Sequence, residues 1–248
     1  MIGLGKDTMF GLVSIYHYLR GIISQRGFSF MENFNMDFSK KVIIETSKQS
    51  WVDSPIKGVQ RIRLEREHEE SGRTTSIVEY KPGSYFDSHR HPMGEEIYVL
   101  EGVFSDESGD YGPGTYIRNP PKSTHQPFSV EGCKIFVKLN AMSLDDKEQL
   151  AIDITNQDWL QGHGGLNVMP LYSSSTESTT MVKWPQGEKF NSHNHWGGEE
   201  ILVIKGEFID EYGRYPVGTW IRSPHMSQHT PYVEEETIIL VKTGHLPK

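Results

Sequence analysis

Cysteine is almost missing from this sequence. Its 248 residues include a single one, Cys133, which excludes an intramolecular disulfide and a cysteine-rich zinc module. Chains without disulfides are typical of reducing compartments, so we expect a cytoplasmic protein. Cys133 adjoins the apolar run 134–139 and is predicted to be a small buried side chain.

Clusters of basic residues are missing too. Asp and Glu outnumber Lys and Arg by 33 to 25, and the net formal charge is −8. Nucleic acid is not an expected partner, because phosphate backbones are bound by basic surfaces. A membrane is not expected either, since no apolar stretch is long enough to span one. We expect a small-molecule ligand or substrate, and the sequence is compatible with a homodimer.

The N-terminal residues 1–37 stand apart from the rest of the chain. Apolar residues recur there at helical spacing, so residues 9–24 are predicted to form a short amphipathic helix, and no secretory cleavage site follows it. Three interpretations stay open: a helix that binds a partner or a membrane surface, a degraded targeting sequence, or an extension that contributes nothing to the fold. We favour the extension, helical or disordered, because Met31 and Met36 directly precede the globular sequence.

The remainder of the chain is an internal duplication. Residues 83–127 align without a gap with residues 187–231, at an offset of 104 residues, and 24 of the 45 positions are identical. An ungapped match of that length indicates a repeated structural unit. We place the two repeats at 38–143 and 144–248.

Both repeats have the pattern of antiparallel β structure. Short apolar runs such as 97–100 and 201–204 are bounded by Gly, Pro, Asp and Ser. Many short strands separated by turns favour a sandwich or a small barrel, which hides the strand edges. The predicted class is therefore all-β, with one sandwich or small barrel per repeat. A further helix is expected between the repeats, over residues 144–153, with Ser143 as its cap.

Histidines and a glutamate stand at matched positions in the two repeats. Each repeat has a His-x-His pair, and the alternation of a strand points both side chains to the same side. A glutamate follows four residues after the pair, and a third histidine follows 34 residues after it. The candidate metal ligands are His89, His91, Glu95 and His125 in the first repeat, and His193, His195, Glu199 and His229 in the second.

Imidazole and carboxylate together suit a transition metal better than calcium or magnesium. We expect one divalent metal ion per repeat, Zn or Fe before Mn, Ni or Co. A shared hydrogen-bonding core is the competing explanation for the matched histidines. That explanation is weaker, because clustered imidazoles are costly to bury unless something binds them.

These motifs resemble the signatures of the cupin superfamily. The first signature is matched twice, by Gly83-x5-His89-x-His91-x3-Glu95-x6-Gly102 and by Gly187-x5-His193-x-His195-x3-Glu199-x6-Gly206. The second signature is similar to Gly114…Pro120…His125 and to Gly218…Pro224…His229. The resemblance implies two jelly-roll (double-stranded β-helix) barrels in tandem, each with a metal ion inside.

The chain is most similar to the ChrR-like cupins, the group of the C-terminal domain of the ChrR anti-sigma factor. The similar segments include Trp51-x2-Ser-Pro-x2-Gly-Val, Gly94-Glu-Glu and Gly132-Cys-Lys-Ile-Phe-Val-Lys-Leu. That factor also has an N-terminal zinc domain that binds a sigma factor and contains Cys-x2-Cys. This chain has no Cys-x2-Cys, and residues 1–37 are too few for that domain.

Other conspicuous residues have weaker expectations. Glu96 and Glu200 are predicted to lie on the surface or behind the ligands, and Arg118 and Arg222 either clamp an anionic substrate or form salt bridges at the barrel end. His225 is predicted to be a turn residue, with orientation of a ligand as the alternative. The histidines without a partner in the repeat are expected on the surface: His17, His68, His163 and His245.

Two functions follow from the motifs and their resemblance. Four protein ligands leave positions open on the metal, which suits a metal-dependent enzyme. By resemblance, its chemistry would be a dioxygenase reaction that cleaves a small dicarbonyl or hydroxyacetophenone-like compound. The alternative is a zinc-binding regulatory module or anti-sigma factor without catalysis, in which the metal site is closed.

Overall fold

The computed structural model describes residues 33–248, so the helix predicted at 9–24 lies outside the described residues. Within them, the regular structure is β-strand apart from two 3₁₀ helices, Thr46–Lys48 and Ile154–Asn156. The predicted all-β class is confirmed. The strands of the first repeat are β1 (Val42–Glu45), β2 (Val52–Asp53), β3 (Val59–Arg66), β4 (Thr74–Tyr80), β5 (Ser84–Tyr85), β6 (His89–Arg90), β7 (Glu95–Gly102), β8 (Phe104–Asp106), β9 (Gly109–Tyr111), β10 (Thr115–Asn119), β11 (Thr124–His125), β12 (Phe128–Ser129) and β13 (Cys133–Leu139).

The second repeat has the same succession of long strands. Its strands are β14 (Leu150–Asp153), β15 (Leu160–Gln161), β16 (Asn167–Ser173), β17 (Ser178–Trp184), β18 (His193–Asn194), β19 (Glu199–Lys205), β20 (Glu207–Asp210), β21 (Gly213–Pro216), β22 (Thr219–Ser223), β23 (Gln228–His229) and β24 (Thr237–Thr243). Two seven-stranded sheets result, in the orders β14-β10-β7-β13-β4-β3-β2 and β1-β22-β19-β24-β17-β16-β15. Short sheets complete each barrel, β11-β6 and β5-β12-β8-β9 in the first, β18-β23 and β20-β21 in the second.

The large sheets are buried on both faces. In β7, Ile97 and Val99 pack into the core of the first barrel, whereas Tyr98 packs into a third core shared with the second sheet. Burial on both faces is the reason that these strands are continuous apolar runs and not alternating ones. Cys133 is 5% exposed in the first-barrel core, as its apolar surroundings predict.

The two repeats exchange their first strands. Strand β1 pairs with β22 of the second repeat, and β14 pairs with β10 of the first. Each exchanged strand leads into a 3₁₀ helix, and Thr46 N and Ile154 N donate to Gly218 O and Gly114 O of the other repeat. Each repeat therefore covers the edge of the other repeat's sheet, so the barrels are linked through backbone hydrogen bonds as well as side chains.

The helix predicted over residues 144–153 is wrong. Its second half is strand β14, and no helix occurs at 144–149. Leu150 and Ile152 both pack against the core shared by the two sheets, and their spacing of two is that of a strand face. A segment this short carries too few residues to distinguish helical from strand periodicity.

Gly102, a residue of the first signature, is predicted to be irreplaceable for steric reasons. Its φ is +69°, and an added Cβ would lie 2.1 Å from the backbone oxygen of Gly132. Gly102→Ala should therefore lower the free energy of unfolding through two effects, backbone strain at positive φ and this clash. The clash alone should contribute about 1–3 kcal/mol.

Gly83→Ala is the matched control for that variant. Gly83 has a φ of +76°, but nothing lies within 4 Å of its added Cβ. The control measures backbone strain without a clash. Urea unfolding of both variants gives the comparison, and equal losses would contradict the steric explanation.

Candidate metal centres

The first candidate site is assembled from three chain segments. Strands β6 and β11 pair with His89 directly opposite His125, and Glu95 is the first residue of β7. His91 comes directly after β6. The ligand atoms of these four side chains all lie within 4.8 Å of one another. The structure thus brings together all four residues that the repeat predicts for this site.

The distances in the first cluster are those of donors converging on one point. His89 Nε2 and His91 Nε2 are 3.2 Å apart. Glu95 Oε2 lies 3.5 Å from His91 Nε2 and 3.4 Å from His125 Nε2. Donor atoms at these separations surround a space the size of one metal ion, since metal–ligand distances are about 2.0–2.2 Å.

Partners outside the cluster orient the histidine rings. His89 Nδ1 lies 3.0 Å from Asp87 O, and His91 Nδ1 lies 3.0 Å from Ser123 Oγ. His125 Nδ1 lies 3.3 Å from Asp106 Oδ2. Each ring therefore presents Nε2 to the centre, which is how metal-binding histidines are commonly positioned. Asn119 Nδ2 donates to Glu95 Oε2 at 3.0 Å and holds the carboxylate.

The second candidate site repeats this arrangement with one difference. Its ligand atoms within 4.8 Å of one another belong to His193, His195 and His229. Glu199 is outside that group, although its carboxylate oxygens lie 3.5 Å from His195 Nε2 and 3.7 Å from His229 Nε2. Asp210 Oδ2 lies 3.5 Å from His229 Nδ1, as Asp106 does from His125.

Burial keeps several of these groups neutral. It lowers the pKa of His91 and His193, and with the neighbouring His229 it lowers the pKa of His195 to about 3. Burial also raises the pKa of Glu199 to about 7. Neutral imidazoles are the form that binds metals, so little proton release from the histidines is needed before binding.

The donor sets fit a divalent metal ion. His125 Nε2 and Glu199 Oε2 are buried and have no hydrogen-bond partner within the described part of the chain. An unpaired buried polar atom is costly, and both of these atoms point to the centre of their cluster. A divalent ion would satisfy them and the neighbouring imidazoles together. The residues that would hold it are the eight predicted from the repeat, and their role as ligands stays a prediction.

The first site opens into a large cavity. His89, His91 and Glu95 line a space of about 870 Å³ in the first barrel. Much of its wall is apolar, with Val59, Val78, Ile135, Val137 and Leu139. The volume lies within the range of small-molecule sites, which combine apolar walls with a few polar groups.

Asp106 and Asp210 are the residues that sequence analysis missed at the sites. Their carboxylates touch the outer nitrogen of the third histidine in each cluster. The available signal was the repeat itself, because the two aspartates are also 104 positions apart. Retention of a carboxylate beside a candidate ligand indicates a role in holding that ligand.

Glu96 and Glu200 lie in neither of the places predicted for them. Both are buried between the two barrels, and each binds a lysine of the other repeat: Lys242 Nζ lies 2.7 Å from Glu96 Oε1, and Lys138 Nζ lies 2.7 Å from Glu200 Oε2. Burial raises the pKa of Glu96, but Lys242 and Arg118 outweigh it and lower the pKa to about 2. Alternation along the strand turns these carboxylates away from the metal cluster, onto the face that the other barrel covers.

Two further predictions concern the arginines and His245. Arg118 and Arg222 form salt bridges, to Asp146 and Glu65, each at 2.6 Å; that alternative is confirmed over the substrate clamp. His245 was expected on the surface, and this is wrong. Its side chain is fully buried, lies 2.9 Å from Glu200 Oε2 and has a pKa lowered to about 4 by burial.

The other predicted positions agree or differ in detail. His225 Nδ1 accepts a hydrogen bond from Gly197 N at 2.9 Å, so it supports the turn before Glu199. His68 and His163 are exposed, as expected, and His17 lies outside the described residues. Among the aromatic residues, Trp184, Tyr98 and Trp220 are core residues, whereas Tyr85 is 58% exposed.

No helix in the described part of the chain has the length and apolar character needed to cross a membrane.

Several solved structures share this fold. A candidate dioxygenase from Nostoc punctiforme is 14% identical with a TM-score of 0.71, over 83% of this chain and 82% of that one. The glyoxylate-induced protein assigned in Pseudomonas aeruginosa is 12% identical with a TM-score of 0.67, over 90% and 94%. Bacillus subtilis oxalate decarboxylase, with Mn(II) centres, is 14% identical with a TM-score of 0.58, over 89% and 79%. At these identities the likeness concerns the fold alone.

Sequence comparison points to one family. No curated protein sequence matches the chain. The family model of the ChrR cupin-like domain matches twice, over residues 39–143 and 147–247. The two matches follow the two repeats, and each includes one histidine and glutamate cluster. The chain therefore belongs to the ChrR cupin-like family, with two cupin domains in tandem.

Proposed function

We propose that this protein is a metal-dependent dioxygenase that cleaves a small dicarbonyl compound, with the reaction in the first barrel. The observation that carries the proposal is the position of the first cluster, whose His89, His91 and Glu95 line a cavity of about 870 Å³. A metal bound there by four protein ligands would keep positions free for a substrate. A regulatory zinc site would instead be expected to be closed.

A bound iron would supply a Lewis acid and a redox centre at the end of this cavity. The chain's own residues would do the rest. Apolar walls that include Ile135 and Val137 would exclude water around the substrate. Asp106 and Asn119 would keep the His125 ring and the Glu95 carboxylate in place. In the overall reaction one C–C bond of the dicarbonyl breaks and both atoms of O₂ enter the products, so no external reductant is needed.

Oxygen uptake by the Fe(II)-loaded protein tests this function. We expect uptake with at least one compound in a panel of 1,3-dicarbonyls and hydroxyacetophenones. His125→Ala should reduce the uptake to background because it removes a ligand of the first site. His229→Ala, the matched change in the second barrel, should retain most of it. Background rates across the whole panel would contradict the proposed function.

The regulatory alternative makes a different prediction for the same protein. It expects a tetrahedral zinc ion without exchangeable water, and a protein partner. X-ray absorption spectroscopy of the first site distinguishes the two, since an open site has at least one non-protein ligand.

A further inference from the structure

Strand β3 carries three buried or nearly buried arginines, two of which line the cavity of the first candidate site. We define the arginine cluster as Arg61, Arg63 and Arg66. Arg61 and Arg66 line the same cavity as His89, His91 and Glu95, and they are 8% and 5% exposed. The Arg63 side chain is 10% exposed. Buried guanidinium groups in a ligand-sized cavity need either internal partners or a bound anion.

The second barrel has no counterpart of the arginine cluster. Strand β3 pairs with β4, and strand β16 pairs with β17. Each position of β4 corresponds to the position 104 residues later in β17, and this correspondence shows which residues of β3 and β16 are equivalent. The residues that replace Arg61, Arg63 and Arg66 in this register are Val168, Pro170 and Ser173. Residues 67–73, which connect β3 to β4, are also replaced by a shorter connection, 174–177. The arginines are therefore a property of the first barrel and not of the fold.

Carboxylates of the connection 67–73 lie against the cluster. Glu70 binds Arg61 through both guanidinium end nitrogens, one of them at 3.1 Å, and Glu69 binds Arg63. Arg66 donates to the backbone oxygen of Glu69. Three guanidinium groups thus face two carboxylates, and the buried Nε atom of each arginine has no hydrogen-bond partner among residues 33–248.

The two carboxylates are held on the outside of the protein. The Glu69 and Glu70 side chains are 32% and 48% exposed, whereas the Arg61 side chain is 9% exposed. An exposed carboxylate can leave for water at little cost, but a buried guanidinium needs a replacement. A ligand carboxylate can take the same bidentate geometry that Glu70 has now. Burial lowers the pKa of Arg66 to about 10, and the neighbouring Arg61 contributes to this shift.

We propose that the substrate of the first barrel is a dicarbonyl that also carries a remote carboxylate. Its two carbonyl oxygens face the histidine cluster, and its carboxylate binds Arg61 and Arg66 in place of Glu70. The proposal rests on the proposed function of this barrel and specifies the substrate class. It also assigns Glu70 as the internal group that the substrate displaces.

Calorimetric titration of the Zn-loaded protein, which does not turn over, tests the assignment. The probes are 4,6-dioxoheptanoate and heptane-2,4-dione, which share the seven-carbon chain and the 1,3-dicarbonyl group and differ in the terminal carboxylate. We expect the dioxoheptanoate to bind one equivalent per chain about 10- to 100-fold more tightly, the range for a hydrogen-bonded charge. Arg61→Gln should reduce this preference to less than about threefold, because it removes the bidentate partner of the carboxylate.

Two more variants keep the test independent of folding. Glu70→Gln removes the competing charge and should tighten dioxoheptanoate binding, a gain that misfolding cannot produce. Arg214→Gln removes an exposed arginine that is paired with Glu207 and Glu234, and it should change neither affinity. Three results would overturn this inference without affecting the proposed function. They are equal affinities of the two probes in the unmodified protein, a preference that persists in Arg61→Gln, and no tighter dioxoheptanoate binding in Glu70→Gln. Absence of binding by both probes would remove the proposed function as well.

Discussion

Elemental analysis of the purified, metal-loaded protein should give two divalent ions per chain. His91→Ala should reduce the ratio to about one, because it removes an imidazole whose Nε2 lies 3.2 Å from His89 Nε2 and 3.5 Å from Glu95 Oε2. His195→Ala should have the same effect through the second site, and the double variant should carry no stoichiometric metal. Mass spectrometry of the metal content after dialysis measures each ratio.

His68→Ala is the control for this series. His68 is exposed and lies 3.7 Å from Glu67, away from both clusters, so the ratio should stay near two. Metal removal by a chelator should also lower the melting temperature, since a ligand that binds the folded state stabilises it. A ratio near zero in the unmodified protein, or a ratio unaffected by His91→Ala, would contradict the metal sites.

Lys138→Met should lower the free energy of unfolding by about 3–5 kcal/mol, the effect of breaking a buried ion pair. Lys138 is 3% exposed and binds both carboxylate oxygens of Glu200, at 2.8 and 2.7 Å. Methionine fills much of the same volume but leaves the carboxylate buried without its cation. Urea unfolding gives the free energy.

Lys134→Met is the matched control, because Lys134 pairs with Glu101 on the surface, with side chains 33% and 66% exposed. Its effect should stay below about 1 kcal/mol. Adding Glu200→Met to Lys138→Met should recover part of the lost stability, since an apolar pair can replace a buried ion pair. Recovery is partial because Glu200 also binds Trp220 and His245. Equal effects of the two lysine changes would contradict a structural role for the buried pair.

Both predicted clusters depend on information that is local in the sequence. The His-x-His pair and the glutamate lie within seven residues, and strand alternation by itself directs their side chains to one side. The third histidine was predictable because the same distance recurs in both repeats. Repetition also distinguished these histidines from unmatched ones such as His68 and His163.

The ion pairs between the barrels could not be predicted from the sequence. Alternation correctly places Glu96 and Glu95 on opposite faces of β7. What covers the Glu96 face is Lys242, 146 residues later in the chain, and no local pattern specifies that contact. The same reason explains the error at His245. A residue without a partner in the repeat was assigned to the surface, although its side chain is buried against Glu200, 45 residues earlier in the chain.

The exchange of strands β1 and β14 could not be predicted either, for a different reason. Strands β1 and β14 have four residues each and lie outside the ungapped repeat. Hydrogen bonding across a sheet edge is satisfied equally well by either repeat's strand, so the local sequence does not choose between them. The arginine cluster was unrecognised because it exists in one repeat only.

By itself, the sequence determined that this protein has two similar β domains and that each contains three histidines and a glutamate near one another. These conclusions follow from spacing and alternation, which act over a few residues. Tertiary structure decided which faces are buried between the barrels, which strand completes which sheet, and that Arg61 and Arg66 share a cavity with the first cluster. Those features depend on contacts between distant segments, which local periodicity does not encode.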